Sequence, residues 1–163
     1  MTPSNSCYNV IKHYEGCKLE AYLCSAGKIT IGFGNTFYPD GKPVKIGDKI
    51  TLKQAEDMLP NIVLKFAQGV DRLVKRELLQ CEFDALVSFA YNCGIGVNKP
   101  NEKKKGLAGS TLLVEVNRKS PASIIEKEFL KYNRAGGKVL EGLTRRRKTE
   151  ALLYNQGILK FNF

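Results

Sequence analysis

Three side chains of different chemistry lie close together in HYEGCKLEAYLCSAGKITIGFGN, residues 13–35. Glu15 follows an amphipathic stretch, where a carboxylic acid at a helix end can serve as a general acid. Partial burial lifts a glutamate pKa towards neutral and keeps a proton for a leaving oxygen. Cys24 offers a thiol with an ordinary pKa of about 8.5, so only a few per cent is thiolate at neutral pH. It becomes a useful base or nucleophile where a cation such as Lys28 lowers that value. Thr30 brings a hydroxyl on the strand face opposite Ile29, Ile31 and Phe33. On spacing alone the same residues also fit a solvated acid and a buried small thiol.

Periodicity shows what would hold them. Residues 4–16 read as a helix capped by Ser4 or Asn5, with Val10, Ile11 and Tyr14 as its apolar stripe and Gly16 ending it. KLEAYL and KITIGFG read as two short strands around the turn CSAGK, and NTFYPDGKPVKIGD as a loop or third strand. From Thr51 a Thr-x-x-Gln capping box opens a long helix, bent at Pro60. CEFDALVSFAYNCG is the expected central helix, with Phe83, Leu86, Val87, Ala90 and Tyr91 at helical spacing. Ser110 is placed to cap TLLVEVNRK, Ser120-Pro121 to start the next helix, and Gly157 to end the last. The helix that starts at Ser120-Pro121 ends before RAGGKVLEG, which connects it to the last helix. The fold class is α+β: one domain over 1–163, with a β-hairpin lobe at 17–50 and a helical lobe at 1–16 and 51–163.

The chain of 163 residues has 26 Lys and Arg against 16 Asp and Glu, a formal charge of +10. Such a balance favours a polyanion, either nucleic acid or an anionic cell envelope. Lys42 to Lys53, the KKK at 103–105 and the RRRK at 145–148 carry much of it, although solubility explains any one cluster equally well. No nucleic-acid signature accompanies the charge, so none is expected as a partner. No run is long and apolar enough to span a membrane, and MTPSNSCYNVIKHYEGC lacks the marks of a signal peptide. The five cysteines contain no C-x-x-C, and with His13 the only histidine neither a metal site nor a cofactor is expected. Without a large apolar face, a monomer is expected.

EGCKLEAYLCSAGKITIGFGN resembles the phage-type lysozymes, a family of glycoside hydrolases. Their motif is a glutamate, eight residues, an aspartate or cysteine, five residues, then a threonine in a T-I-G-x-G strand. Glu15, Cys24 and Thr30 fall at that spacing. ALVSFAYNCGIG, GSTLL and AGGKVLEGLTRRRKTEALLY are similar to later family segments, in order, so the resemblance spans nearly the whole chain.

The resemblance implies a lysozyme-like fold with a cleft between its lobes and hydrolysis of the β-1,4 bond between N-acetylmuramic acid and N-acetylglucosamine. Glu15 would protonate the glycosidic oxygen, Thr30 would hold the attacking water, and Cys24 stands where many members have an aspartate. Arg146, or Arg145 if the alignment slips by one, would pair with the acid; Arg147 fits less well. Asn35, Tyr91, Asn92, Ser110 and Thr111 would contact sugar or peptide, though Tyr91 fits the core and Ser110 a helix cap.

Asn35 stands where the family often has histidine, and Tyr132 near the place of a tryptophan that this chain lacks. Cys24 could activate water or attack the sugar, which correspond to carboxylate separations of roughly 6.5–9.5 Å and 5–5.5 Å in the usual pairs; water held by Thr30 and Cys24 is the expected route. A Cys17–Cys24 disulfide, as in family members locked by redox state, would silence the thiol, while Cys81 and Cys93 are expected in the core. The implied setting is a phage or prophage endolysin, made in the host cytoplasm and released to peptidoglycan by another factor. A secreted antibacterial effector and a non-catalytic wall-binding module are the competing readings.

Overall fold

The computed structural model describes residues 1–24, 27–97 and 105–163. Two expected features therefore lie outside the described residues: the Ser25–Ala26 turn, and most of the basic loop with Lys103 and Lys104. Among the described residues the chain forms α1 (Asn5–Tyr14), β1 (Lys18–Leu23), β2 (Ile29–Gly32), α2 (Leu52–Leu73), α3 (Gln80–Cys93), α4 (Thr111–Asn117), α5 (Ala122–Leu130), β3 (Arg134–Ala135), β4 (Lys138–Val139) and α6 (Glu141–Gln156). It divides into two compact units, residues 12–65 and residues 1–11 with 66–163.

In the smaller unit β1 and β2 pair antiparallel, Tyr22 opposite Thr30 and Leu23 opposite Ile29, with the register shifting between Lys18 and Tyr22. Ala21, Ile31, Val44 and Met58 form its core, with Ile29, Tyr38 and Ile50 packed on them. The segment after β2 is a loop with isolated bridges (Phe37 to Pro43, Glu20 to Lys49) and no third strand. Asp48 organises it by accepting from the Tyr38 hydroxyl and the Lys45 N–H, both at 2.9 Å. The capping box at the start of α2 is reciprocal: the Thr51 N–H donates to Gln54 Oε1 at 2.7 Å, and the Gln54 N–H to Thr51 Oγ1 at 3.2 Å. Helix α2 continues through Pro60, although proline removes one backbone donor there.

In the larger unit α3 is buried along most of its length; Phe83, Leu86, Val87, Phe89 and Ala90 are fully enclosed. Each large side chain contributes about 1.5–3 kcal/mol by leaving water. Phe89 meets Phe129 of α5 edge-on at 5.7 Å, and α5 and α3 both pack on α6. Helix α6 stops at Gly157, whose φ of 68° is the left-handed conformation that a C-terminal glycine takes most easily. The connection expected between α5 and α6 is instead a hairpin. Arg134 pairs with Val139 and Ala135 with Lys138, around Gly136 and Gly137 at φ 57° and 78°. Two adjacent positive φ values are what a two-residue hairpin turn requires, so the Gly-Gly pair was the available signal.

Helix α1 starts one residue later than its pattern suggested and ends at Tyr14, with Ser4 as its cap: Ser4 Oγ accepts from the Ser6 N–H at 3.2 Å. Ser4 is itself anchored by Asp84 of α3, a buried carboxylate that accepts from the Ser4 N–H at 2.9 Å, the Ser4 hydroxyl at 2.5 Å and Gln80 Nε2 at 3.0 Å. Asp84→Ala strands these donors beside the core. It is expected to cost about 2–3 kcal/mol, read as a lower urea midpoint at unchanged m; a loss below about 1 kcal/mol would show the anchor to be dispensable.

Candidate active site

Glu15 sits half-buried in the bend after α1, just before the exposed Gly16. Cys24 follows the last residue of β1 and is also half-buried. Its backbone closes the hairpin, with the Cys24 N–H donating to Lys28 O at 2.9 Å and the Gly27 N–H to Cys24 O at 2.8 Å. The same Lys28 carbonyl accepts the Thr30 hydroxyl at 3.0 Å, so one backbone oxygen holds both candidate residues. Thr30 is only 4 % exposed, because both faces of β2 are covered rather than one. With its proton committed to Lys28, Oγ1 keeps its lone pairs for accepting a further hydrogen.

Asn35 is 3 % exposed and closes a tight turn with Ile31 through two backbone bonds, Ile31 N–H to Asn35 O and Asn35 N–H to Ile31 O, both 2.9 Å. Its Oδ1 is buried with no donor among the described residues, an arrangement that costs free energy until a donor arrives. No disulfide joins any of the five cysteines, so Cys17 and Cys24 carry separate thiols here. Burial, and then the Glu56 charge, push the Cys17 thiol above its ordinary pKa.

The larger unit holds the remaining candidates. Tyr91 is half-buried, with its ring 5.0 Å from that of Phe66. Asn92 is exposed at the end of α3 and lines an open hollow of about 660 Å³ together with Cys93, Lys105, Tyr132 and Arg134. Of these only Asn92 was singled out as a contact from the sequence; Arg134 joins because the β3–β4 hairpin brings it there. Burial pushes the Tyr132 phenol and the Cys93 thiol above their ordinary values. Cys93 is half-buried rather than core, as is Cys81, whose thiol lies 3.8 Å from Tyr154 O. Ser110 caps α4: its Oγ accepts from the Leu113 N–H at 3.0 Å and donates to Leu107 O at 2.7 Å. The Thr111 hydroxyl donates to Glu128, which Lys131 also binds.

The RRRK run is not the exposed basic patch that its composition suggested. Arg145 points outward to Glu141 at 2.7 Å and Lys148 is exposed, but Arg146 and Arg147 are buried around Glu150. Helical period places positions 146, 147 and 150 on one side of α6, and packing against α3 and α5 encloses that side. Among the described residues no helix is long and apolar enough to cross a membrane, and no group of three His, Cys, Asp or Glu is placed to hold a metal.

A family model described as phage lysozyme matches residues 12–150. The chain is 38% identical to the endolysin of Bacillus phage PZA over 98% of its own length and 57% of that protein. It is 34% identical to the endolysin of Salmonella phage P22, over 87% of this chain and 90% of that one. It thus spans little more than half of the PZA relative and nearly all of the P22 one. Among solved structures, an endolysin from Escherichia coli O157:H7 phage FAHEc1 superposes with a TM-score of 0.80 at 37% identity, covering 98% of this chain and 97% of that chain. A P22 lysozyme gives 0.78 at 31% identity, covering 94% and 98%. The α+β architecture is therefore lysozyme-like. With the model match covering Glu15, Cys24 and Thr30 as well as the α6 arginines, the chain belongs to the phage lysozyme family.

Proposed function

We propose that this chain is a muramidase that cleaves the β-1,4 bond between N-acetylmuramic acid and N-acetylglucosamine, and that it works as a phage or prophage endolysin. The observation that carries the reading is the corner where Cys24 and Thr30 share the Lys28 carbonyl, at the family's spacing from Glu15. Glu15 donates its proton to the glycosidic oxygen as the bond to the anomeric carbon breaks. A water accepted by Thr30 Oγ1 supplies the new bond on the opposite face of the sugar. Cys24, as thiolate, takes that water's proton, which makes this a Glu-Cys-Thr variant of the family site. An inverted anomer in the first product is the expected outcome; a retained one would point to attack by Cys24 on the sugar.

Arg146 is the cation proposed to pair with Glu15. Arg145 is occupied at the surface by Glu141, and Arg147 reaches towards Cys93, which supports Arg146 over its neighbours. Asn35 is proposed to accept a donor from the sugar at its orphaned Oδ1. Asn92 contacts peptidoglycan from the hollow that it lines with Tyr132 and Arg134, while Tyr91, Ser110 and Thr111 play structural parts or touch substrate at their edges. The protein acts as a monomer on the cell wall, uses no cofactor or nucleic acid, and reaches the wall by another factor's release.

The experiment is clearance of purified peptidoglycan together with new reducing sugar ends. Clearance with reducing ends supports muramidase chemistry. Clearance with new amino or carboxyl ends would assign a different bond. Binding without either product would favour a wall-binding module, the reading that the loss of the usual aspartate at Cys24 keeps open.

A further inference from the structure

The chemistry of α6 points inward at a single carboxylate. Glu150 is fully buried, and its Oε1 accepts three hydrogen bonds: from Ser88 Oγ at 2.7 Å, Arg146 Nε at 3.0 Å and Arg147 Nη2 at 3.0 Å. Its Oε2 lies 2.8 Å from Arg147 Nε, a charge contact in which the N–H is not aimed at the oxygen. From this hub the two guanidiniums reach α3 at different points. Arg146 Nη2 donates to Ser88 O at 3.2 Å, and Arg147 Nη1 donates to Cys93 Sγ at 2.9 Å, with its guanidinium 5.0 Å over the Phe89 ring. In an α-helix the Ser88 carbonyl also receives the N–H four residues on, that of Asn92. The cluster therefore grips the last turn of α3 at both ends, on either side of Tyr91 and Asn92.

A cluster built only for stability would be a poor choice here. Two guanidiniums share one carboxylate where water is excluded, and well-packed apolar side chains serve stability as well or better. What the arrangement provides is fixed geometry: Ser88, Arg146 and Arg147 have their positions set by one hub.

We infer that Glu150 is a positioning residue, holding Arg146 in place for the reacting acid and, through Arg147 and Cys93, holding the end of α3 that carries the Asn92 contact. The kinetic part of this inference rests on the muramidase reading; the structural part does not.

The kinetic test uses two variants. Arg147→Met removes the guanidinium that reaches Cys93 and leaves Arg146 on Glu150, and Glu150→Gln is then added to it. Both are assayed on soluble peptidoglycan fragments well below their Tm. Arg147→Met is expected to raise KM about tenfold and leave kcat within about threefold, because only the substrate-contact end of α3 is released. Adding Glu150→Gln is expected to lower kcat at least tenfold further without raising KM again. Opposite splits from two buried neighbours are not what a general loss of stability produces. A kcat within about threefold of the single variant's, or losses that simply follow the folded fraction, would overturn the inference.

Amide hydrogen exchange gives a reading without activity. In Glu150→Gln alone, which keeps Arg147, Asn92 is expected to exchange at least tenfold faster than in wild type, relative to the amides of Ile125–Leu130. Equal acceleration of both would overturn the positioning role. Wild type that yields no reducing ends would instead defeat the muramidase reading, and the exchange result would still decide this one.

Discussion

Glu15→Gln is expected to lower kcat on peptidoglycan by about a thousandfold while leaving the fold intact. General acid catalysis accounts for roughly 10²–10⁴ in rate, and a sugar oxygen leaving without a proton is a poor leaving group. Glutamine has nearly the same shape as glutamate, so the half-buried place after α1 accepts it, and the substrate-binding groups stay where they are. The loss should therefore fall on kcat, with KM within a few-fold of wild type. The measurement is initial-rate release of reducing ends, with a thermal melt of each protein alongside. A variant keeping more than a tenth of wild-type kcat would remove Glu15 from the chemistry, whatever its place in the family motif.

The second large effect is at Cys24, where the variants should separate by charge and not by size. Cys24→Ala is expected to lose about a hundredfold in kcat, because it removes the group that takes the water's proton. Cys24→Asp should keep activity near or above wild type, since a carboxylate is ionised across the neutral range whereas an ordinary thiol is mostly protonated. The hairpin should tolerate both, because the backbone bonds of Cys24, Gly27 and Lys28 that close this corner are kept in either variant. Full activity in Cys24→Ala would mean that the water positioned by Thr30 needs no base. Loss of activity in both variants, with folding intact, would point to the sulfur itself as nucleophile.

Oxidation offers a related check on the thiol. With Cys17 and Cys24 as separate thiols, the reduced protein is the active form of this reading. Activity that stays unchanged through an oxidising treatment would exclude a redox lock at this corner.

Local rules carried much of the fold. The Thr51–Gln54 box, Ser110 as a cap, Gly157 as a stop and the strand at ITIG are each decided by neighbours a few residues away. Each therefore stands in the structure where its pattern placed it. The β3–β4 hairpin was missed for the opposite reason. Its strands are two residues each, too short for any period to register, and only the Gly-Gly turn gave a sign. The burial of Thr30 also escaped the alternation rule. A period of two says which residues share a face, but not whether both faces are covered.

The sequence by itself determined the order of acid, thiol and hydroxyl, the elements on either side of them, and membership of the phage lysozyme family. Only the tertiary structure decided what becomes of the charges. Read along the chain, RRRK is a cationic surface; folded, two of its arginines are enclosed with Glu150, Arg146 tied to Ser88, 58 residues away, and Arg147 to Cys93, 54 residues away. A charged side chain is buried only where partners meet it, because desolvation costs more than any local preference returns. Glu150 lies in the same window of sequence, but Ser88 and Cys93 of α3 reach the arginines only through packing.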